Sequence, residues 1–203
     1  MINQNSVTPQ KIKTEKKPRK ITESYLHNAG LYYLERFAAS SAHFKKIMLR
    51  KIDRSCAFHK DQVREECIQT LDRLVIKFQN VGLLDDSVFT QNMVLSLRRK
   101  GLSARMIHAR LQAKGLEYEM IDRILQAYTQ TLESEFHEDA ELIAALRLAR
   151  RKKIGPYALE KTHDHSNKAL AILARAGFSY DIACKALQFD RDMADALNES
   201  VCR

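Results

Sequence analysis

Between residue 21 and the C-terminus the chain has a single proline, Pro156. Glycine is also scarce. There are 6 glycines and 3 prolines in 203 residues, against about 7% and 5% in an average chain. A sandwich or barrel turns every ~8–12 residues, and its turns are built from these residue types. A body so poor in breakers excludes that class and leaves helices. A chain of this length can bury roughly 70% of its surface, so it needs no disulfide or metal staple.

The apolar residues recur at helical spacing. Leu26, Gly30, Tyr33 and Phe37 share one stripe, and Ser40-Ser41 break that helix and cap a second with Phe44, Ile47 and Met48 inward. Val63, Cys67, Leu71, Leu74 and Phe78 predict a third helix, which Gly82 ends in the manner of a left-handed cap. Asp85 or Asp86 opens a helix carrying Phe89, Met93 and Leu97, stopped by Gly101. Ser103 caps a short one with Ile107 and Leu111, stopped by Gly115. Ile121, Ile124, Leu125, Tyr128 and Leu132 predict a long helix, followed by one from about His137 with Leu142, Leu146 and Ala149. Gly155-Pro156 interrupts that helix, a further one ends at Gly177, and a last one carries Ile182, Ala186 and Leu187.

A frame repeats inside this pattern. Gly115-Leu116-Glu117-Tyr118-Glu119-Met120 matches Gly177-Phe178-Ser179-Tyr180-Asp181-Ile182, with a basic residue (Arg123, Lys185) and a leucine (Leu125, Leu187) following in register. Gly101-Leu102-Ser103 repeats the opening. Each glycine ends a helix, the apolar residue after it packs back, and the next helix starts at once. The expected fold is therefore all-α: tandem three-helix, helix-turn-helix-like repeats in an elongated, curved array. The divisions are a disordered basic tail over 1–20 and repeats over 21–82, 83–135 and 136–203.

The chain carries a net charge of +9, unevenly spread. Residues 1–20 hold six basic residues and one acid, and the remainder holds +4. A basic balance points to an acidic partner: nucleic acid, an anionic membrane or an acidic protein surface. Three runs stand out in the body. Arg98, Arg99, Lys100, Arg105, Arg110 and Lys114 occur with no acid among them. Arg147, Arg150, Arg151, Lys152 and Lys153 form a second run, and Lys45, Lys46, Arg50, Lys51 and Arg54 a third. Any one run is ordinarily a solvated helix face. Recurrence in successive units favours a shared basic face, with Arg98, Arg99, Lys100, Arg105, Arg110, Lys114, Arg150, Arg151 and Lys152 as the candidate contacts. An unpaired guanidinium is too costly to bury, so most of these are expected on the surface.

Catalysis finds no support. No P-loop, dinucleotide fingerprint, nucleophile elbow or paired-histidine zinc motif occurs. The cysteines at 56, 67, 184 and 202 include no CxxC pair, which suits a reducing cytoplasm better than a disulfide framework. Cys56, His59 and Cys67 have no regular zinc spacing, and Cys67 reads more simply as a core residue. His163-Asp164-His165 reads as a polar segment before a helix, and His137-Glu138-Asp139 as a helix N-terminus. No metal and no cofactor are expected. The longest uniformly apolar stretch, Ala169 to Ala174, is far short of the ~20 residues of a membrane span. Nothing resembles a coiled-coil seam, and a monomer is the expectation.

Four stretches together resemble the RecX family of RecA regulators. They are Gly82-Leu83-Leu84-Asp85-Asp86-Ser87-Val88-Phe89, Arg99-Lys100-Gly101-Leu102-Ser103, Ala113-Lys114-Gly115-Leu116 with Ile121 and Leu125, and Arg175-Ala176-Gly177-Phe178-Ser179-Tyr180-Asp181-Ile182. The resemblance covers roughly residues 22–190. It implies the tandem-repeat fold and a non-enzymatic, cytoplasmic protein of DNA repair, homologous recombination and the SOS response. Such a protein lies in the groove of the RecA–DNA filament and restrains its extension, ATPase, strand exchange and coprotease activity. The departures are the link from Asp53 to Lys60, which lengthens the first repeat, the basic N-terminal extension and the Gly155-Pro156 region. The competing reading from the residues alone is a helix-turn-helix transcription regulator, whose three-helix units look alike at this level.

Overall fold

The structure, a computed structural model, describes residues 17–136, 139–159 and 163–200. Residues 1–16, the His137-Glu138 pair and the side chains of His163-Asp164-His165 lie outside the described set. Within it the chain forms ten α-helices and one 3-10 turn, with no strand.

The first unit is α1 (Glu23–Leu34), α2 (Ser41–Phe58) and α3 (Arg64–Asn80). Thr22 and Ser40 cap the first two helices by accepting from the Tyr25 and His43 N–H groups. Leu26, Phe44, Met48, Ile52, Leu71 and Phe78 form one buried cluster between the three. Two features differ from the sequence reading. α1 stops at Leu34, so Phe37 lies beyond its end, exposed, with its ring 5.3 Å from that of Tyr33. The stretch after Asp53 is no link. α2 continues through Phe58, burying Ile52 and Ser55 along the way.

The second unit is α4 (Asp86–Arg99), α5 (Ala104–Gln112) and α6 (Tyr118–Phe136), around Phe89, Leu97, Ile107, Leu111, Ile121 and Leu125. Asp85 and Ser103 supply the caps of α4 and α5. The third unit has α7 (Ala140–Lys152), the 3-10 turn Gly155–Tyr157, α8 (His163–Arg175) and α9 (Tyr180–Gln188). It also has a helix that the apolar pattern did not predict, α10 (Arg191–Ser200). Asp190 Oδ1 accepts from the Asp192 and Met193 N–H groups at its start. Its inward face is Ala194, Leu197 and Asn198, and Asn198 Nδ2 donates to the Tyr157 hydroxyl at 3.0 Å. The face is well segregated, but it is short and set in a polar run, which makes it easy to miss in the sequence.

Residues 18–20, expected in the disordered tail, are instead held by the fold. Pro18 to Ile21 lies against the corner between α2 and α3. Ser55 Oγ donates to Arg19 O at 2.8 Å, and the Ile21 N–H and C=O bond both ends of the Gln62 amide. His59 Nε2 sits 2.9 Å from Pro18 O, and Lys20 Nζ pairs with Asp61.

Successive units meet at joints of one design. At the first joint, Ser40 Oγ donates to Lys114 O (2.7 Å) and the Ser41 N–H donates to Asp86 Oδ1 (2.7 Å). At the second, Ser103 Oγ donates to Ala176 O (2.7 Å) and the Ala104 N–H donates to Glu141 Oε1 (2.8 Å). In both, the cap serine of one unit's middle helix reaches the end of the next unit's middle helix. A carboxylate opening the next unit's first helix takes the following N–H. The glycine after the accepting carbonyl must be bare. A Cβ on Gly115 would lie 2.4 Å from Ala42 Cβ, and one on Gly177 2.5 Å from Ser103 Oγ. Both also have positive φ. The frame shared by residues 115–125 and 177–187 is thus the recurring half of this joint.

Candidate interaction face

The nine candidate basic residues separate into two kinds. Arg99, Lys100, Arg105, Arg110, Arg150, Arg151 and Lys152 are exposed, and Lys114 is half-buried. Arg98 is not on the face. Only 2% of it is exposed, and Nη1 donates to Glu141 Oε1 at 2.6 Å and to Leu102 O at 3.3 Å. Its guanidinium carbon lies 5.9 Å from the Tyr128 ring centroid. The rule that an unpaired guanidinium stays outside is not broken, because this one is paired. The last turn of α4 meets the first turn of α7, and Glu141 supplies the carboxylate. The second run divides in the same way, since Arg147 is buried with Nη1 3.4 Å from Arg98 O.

The exposed members gather at the joints. At the first, His43 lies on α2 beside cations of two separate runs. Burial, then Lys114, then Lys46 and Arg50, hold its imidazole below the ordinary value. Lys45 is balanced by Asp72 at 2.6 Å. At the second joint, α5, α7 and α8 enclose an open cleft of about 480 Å³. Leu102, Met106, Leu148 and Ile172 line it with aliphatic surface. Arg110, Arg151, Lys152 and Arg175 bring four cations to it, and no carboxylate, imidazole or thiol lines it. Among the described residues none of these four has an ion-pair partner. Arg150 is aimed elsewhere, with Nε 4.0 Å from Asp195 Oδ1 on α10. Arg175 was no candidate in the sequence. The usable signal was its position two residues before a joint glycine, as Arg99 precedes Gly101.

A face of fixed cations around aliphatic surface binds anions and apolar groups. Burial and the neighbouring Cys56 push the Cys67 thiol up, the reverse of what a nucleophile or metal ligand needs. Among the described residues no group of three or more His, Cys, Asp or Glu side chains could hold a metal ion, and no helix is long and apolar enough to cross a membrane.

No family model matches the chain. Curated proteins do. The regulatory protein RecX of Myxococcus xanthus is 38% identical over 174 residues, which span 85% of this chain and 89% of the relative. The chain belongs to the RecX family. The RecX protein of Agrobacterium fabrum is 25% identical over 85% of this chain and 86% of its own length. The crystal structure of RecX from Lactobacillus salivarius superposes with a TM-score of 0.57 at 20% identity, covering 84% of this chain and 97% of that one. A second RecX crystal structure gives 0.57 over 81% of this chain. The fold built from capped helices and serine–glycine joints is therefore the RecX fold.

Proposed function

We propose that the protein is a non-enzymatic regulator of the RecA recombinase. It binds the RecA–DNA filament and restrains its extension, ATP hydrolysis, strand exchange and coprotease activity. The observation that carries the reading is the kinship with proteins named regulatory protein RecX across 85% of the chain. The exposed members of the candidate set, Arg99, Lys100, Arg105, Arg110, Arg150, Arg151 and Lys152, with the half-buried Lys114, supply its contacts to acidic protomer surfaces or to bound DNA. An array of joined units spreads such contacts over neighbouring protomers, where modest affinities reinforce one another.

The structure disfavours a helix-turn-helix transcription factor, which needs a free helix N-terminus in the major groove. Two of the middle helices, α2 and α5, have theirs buried in the joints, with Ser40 and Ser103 fully enclosed. The third helices open with acids, Glu65 and Glu66 on α3, Glu119 on α6 and Asp181 on α9, which repel phosphate.

The deciding experiment is a titration of the full chain into RecA hydrolysing ATP on single-stranded DNA. Slowing at amounts well below stoichiometry is the expected result. No effect, together with binding to one DNA sequence roughly 10³-fold above random DNA, establishes the transcription-factor reading instead. Small-angle scattering adds a check on shape. A radius of gyration near the ~17 Å of a compact globule of this length counts against an array that spans protomers.

A further inference from the structure

The cleft at the second joint has more positive charge than its architecture requires. Three helices, α4, α7 and α8, end around it, and α5 begins beside it at Ser103. Each helix C-terminus presents about half a negative charge and a helix N-terminus about half a positive one, so these ends call for about one cation. The cleft has four, Arg110, Arg151, Lys152 and Arg175, which leaves about three unbalanced charges over an aliphatic floor. A second apolar cleft lacks this charge. It lies between the end of α1 and the start of α4, is lined by Leu34, Leu83, Val88 and Met93, and carries Asp85 and no cation.

We propose that the cleft at the second joint is a docking pocket for an acidic segment of a partner protein. One apolar side chain of that segment seats on Leu102, Met106, Leu148 and Ile172, and carboxylates on either side of it meet the four cations. The volume of about 480 Å³ is that of a side-chain-sized or ligand-sized site. An unbranched thioether such as Met106 adapts to differently shaped guests. Charge complementarity selects the flanking residues, and the lack of any acid in the cleft wall leaves nothing to repel them. Single-stranded nucleic acid fits less well. Its bases bind by stacking on aromatic rings, and no aromatic residue lines the cleft. The inference deepens the reading of the protein as a RecA regulator, since it assigns a pocket on this chain to an acidic element of the partner.

The test uses the full chain and fluorescence anisotropy at low salt. The probe is a fluorescein-labelled peptide with a central Leu-Phe pair flanked on each side by runs of Glu and Asp. The expected result is saturable binding that falls about tenfold when Leu-Phe becomes Ser-Ser. Arg151→Glu with Arg175→Glu reduces it tenfold or more, and Arg73→Glu with Lys77→Glu, exposed on α3 and away from the cleft, changes it less than about threefold. Met106→Gln keeps the charge and weakens only the Leu-Phe peptide, which preserves the test should the double reversal unfold. Four results overturn the proposal: no binding, equal loss in both charge-reversal pairs, indifference to the Leu-Phe pair, or oligo-dT displacing the peptide through the same four cations. The last result assigns the cleft to nucleic acid. RecA ATPase run on the same proteins separates the two claims. Slowed ATPase without peptide binding removes the pocket and leaves the regulator. Peptide binding without any effect on RecA removes the regulator.

Discussion

The two joints share a hydrogen-bond scheme and differ in what surrounds it. Serine to carbonyl and N–H to carboxylate recur within 0.1 Å of one another. At the first joint the carboxylate, Asp86, takes the Ser41 N–H, and the buried groups beside it are the hydroxyls of Ser40, Ser41 and Thr90. At the second, Glu141 takes the buried Arg98 as well as the Ala104 N–H, and Arg147 reaches Arg98 O. The first joint is a latch of neutral and singly charged bonds, and the second is that latch built around an enclosed ion pair. An enclosed pair contributes little against a well-packed apolar substitute, but losing one partner is costly. The second joint is therefore the more rigid and the more vulnerable to point substitution.

The largest contrast is expected at the carboxylates. Glu141→Ala leaves a guanidinium that is 2% exposed without its counterion and should cost about 3–5 kcal/mol. Asp86→Ala removes one charged hydrogen bond at the edge of the surface and should cost about 1.5–3 kcal/mol. Urea unfolding of both variants reads the difference, and equal losses would make the two joints equivalent.

Next come the glycines. A Cβ on Gly101 would lie 2.5 Å from Leu148 N and 2.7 Å from Ala144 O, both backbone atoms of α7. Backbone cannot rotate aside, so Gly101→Ala should separate α4 from α7 and cost about 3 kcal/mol, part of it from its positive φ. At Gly115 the obstacle is the Ala42 methyl. Gly115→Ala should cost about 2 kcal/mol, with much of it restored by Ala42→Gly. Thermal melts of the single and double variants check the compensation, and failure of Ala42→Gly to restore any stability would place the strain in φ alone. The caps are expected to differ least. Ser40→Ala and Ser103→Ala each remove a cap and a joint bond, for about 1–2 kcal/mol apiece. Matching urea midpoints would show that both serines act alike.

What was legible in the sequence follows from what is periodic or punctuated. The helices, their serine and aspartate caps and their glycine stops each leave a local signal, and so does the repeated frame after Gly115 and Gly177. The joints leave half a signal. The glycines and serines are visible, but the pairing of Ser40 with Lys114 spans 74 positions. Arg98 was misplaced because charge says nothing of partners, and its partner lies 43 residues away in another unit. The ten residues of α10 pass unnoticed because their apolar face, Ala194 and Leu197 beside the buried Asn198, is short and set in a polar run. The strap from Pro18 to Ile21 binds through backbone atoms and one glutamine amide, which composition cannot show.

A last difference between the joints is set by pH. His43 and Met106 hold equivalent positions, three residues after Ser40 and Ser103, and each N–H donates to its serine Oγ at 3.2 Å. Only the first joint can therefore titrate there. Burial, assisted by Lys114 across the joint and by Lys46 and Arg50, holds the His43 imidazole below its ordinary 6.5. A histidine with a lowered value in the fold binds its proton less tightly than the unfolded chain does, so protons favour unfolding. Its contribution is complete above about pH 6.5 and is lost as the pH falls from there through the folded value. The urea midpoint should therefore drop between pH 7.5 and 5.5. His43→Met, which installs the second joint's residue, should reduce that drop, and Lys114→Gln should reduce it less, because burial is the larger cause. Added salt should behave like Lys114→Gln, screening the three cations while leaving burial untouched. A pH dependence unchanged in His43→Met would move the titration elsewhere in the chain and leave the two joints distinguished by their carboxylates alone.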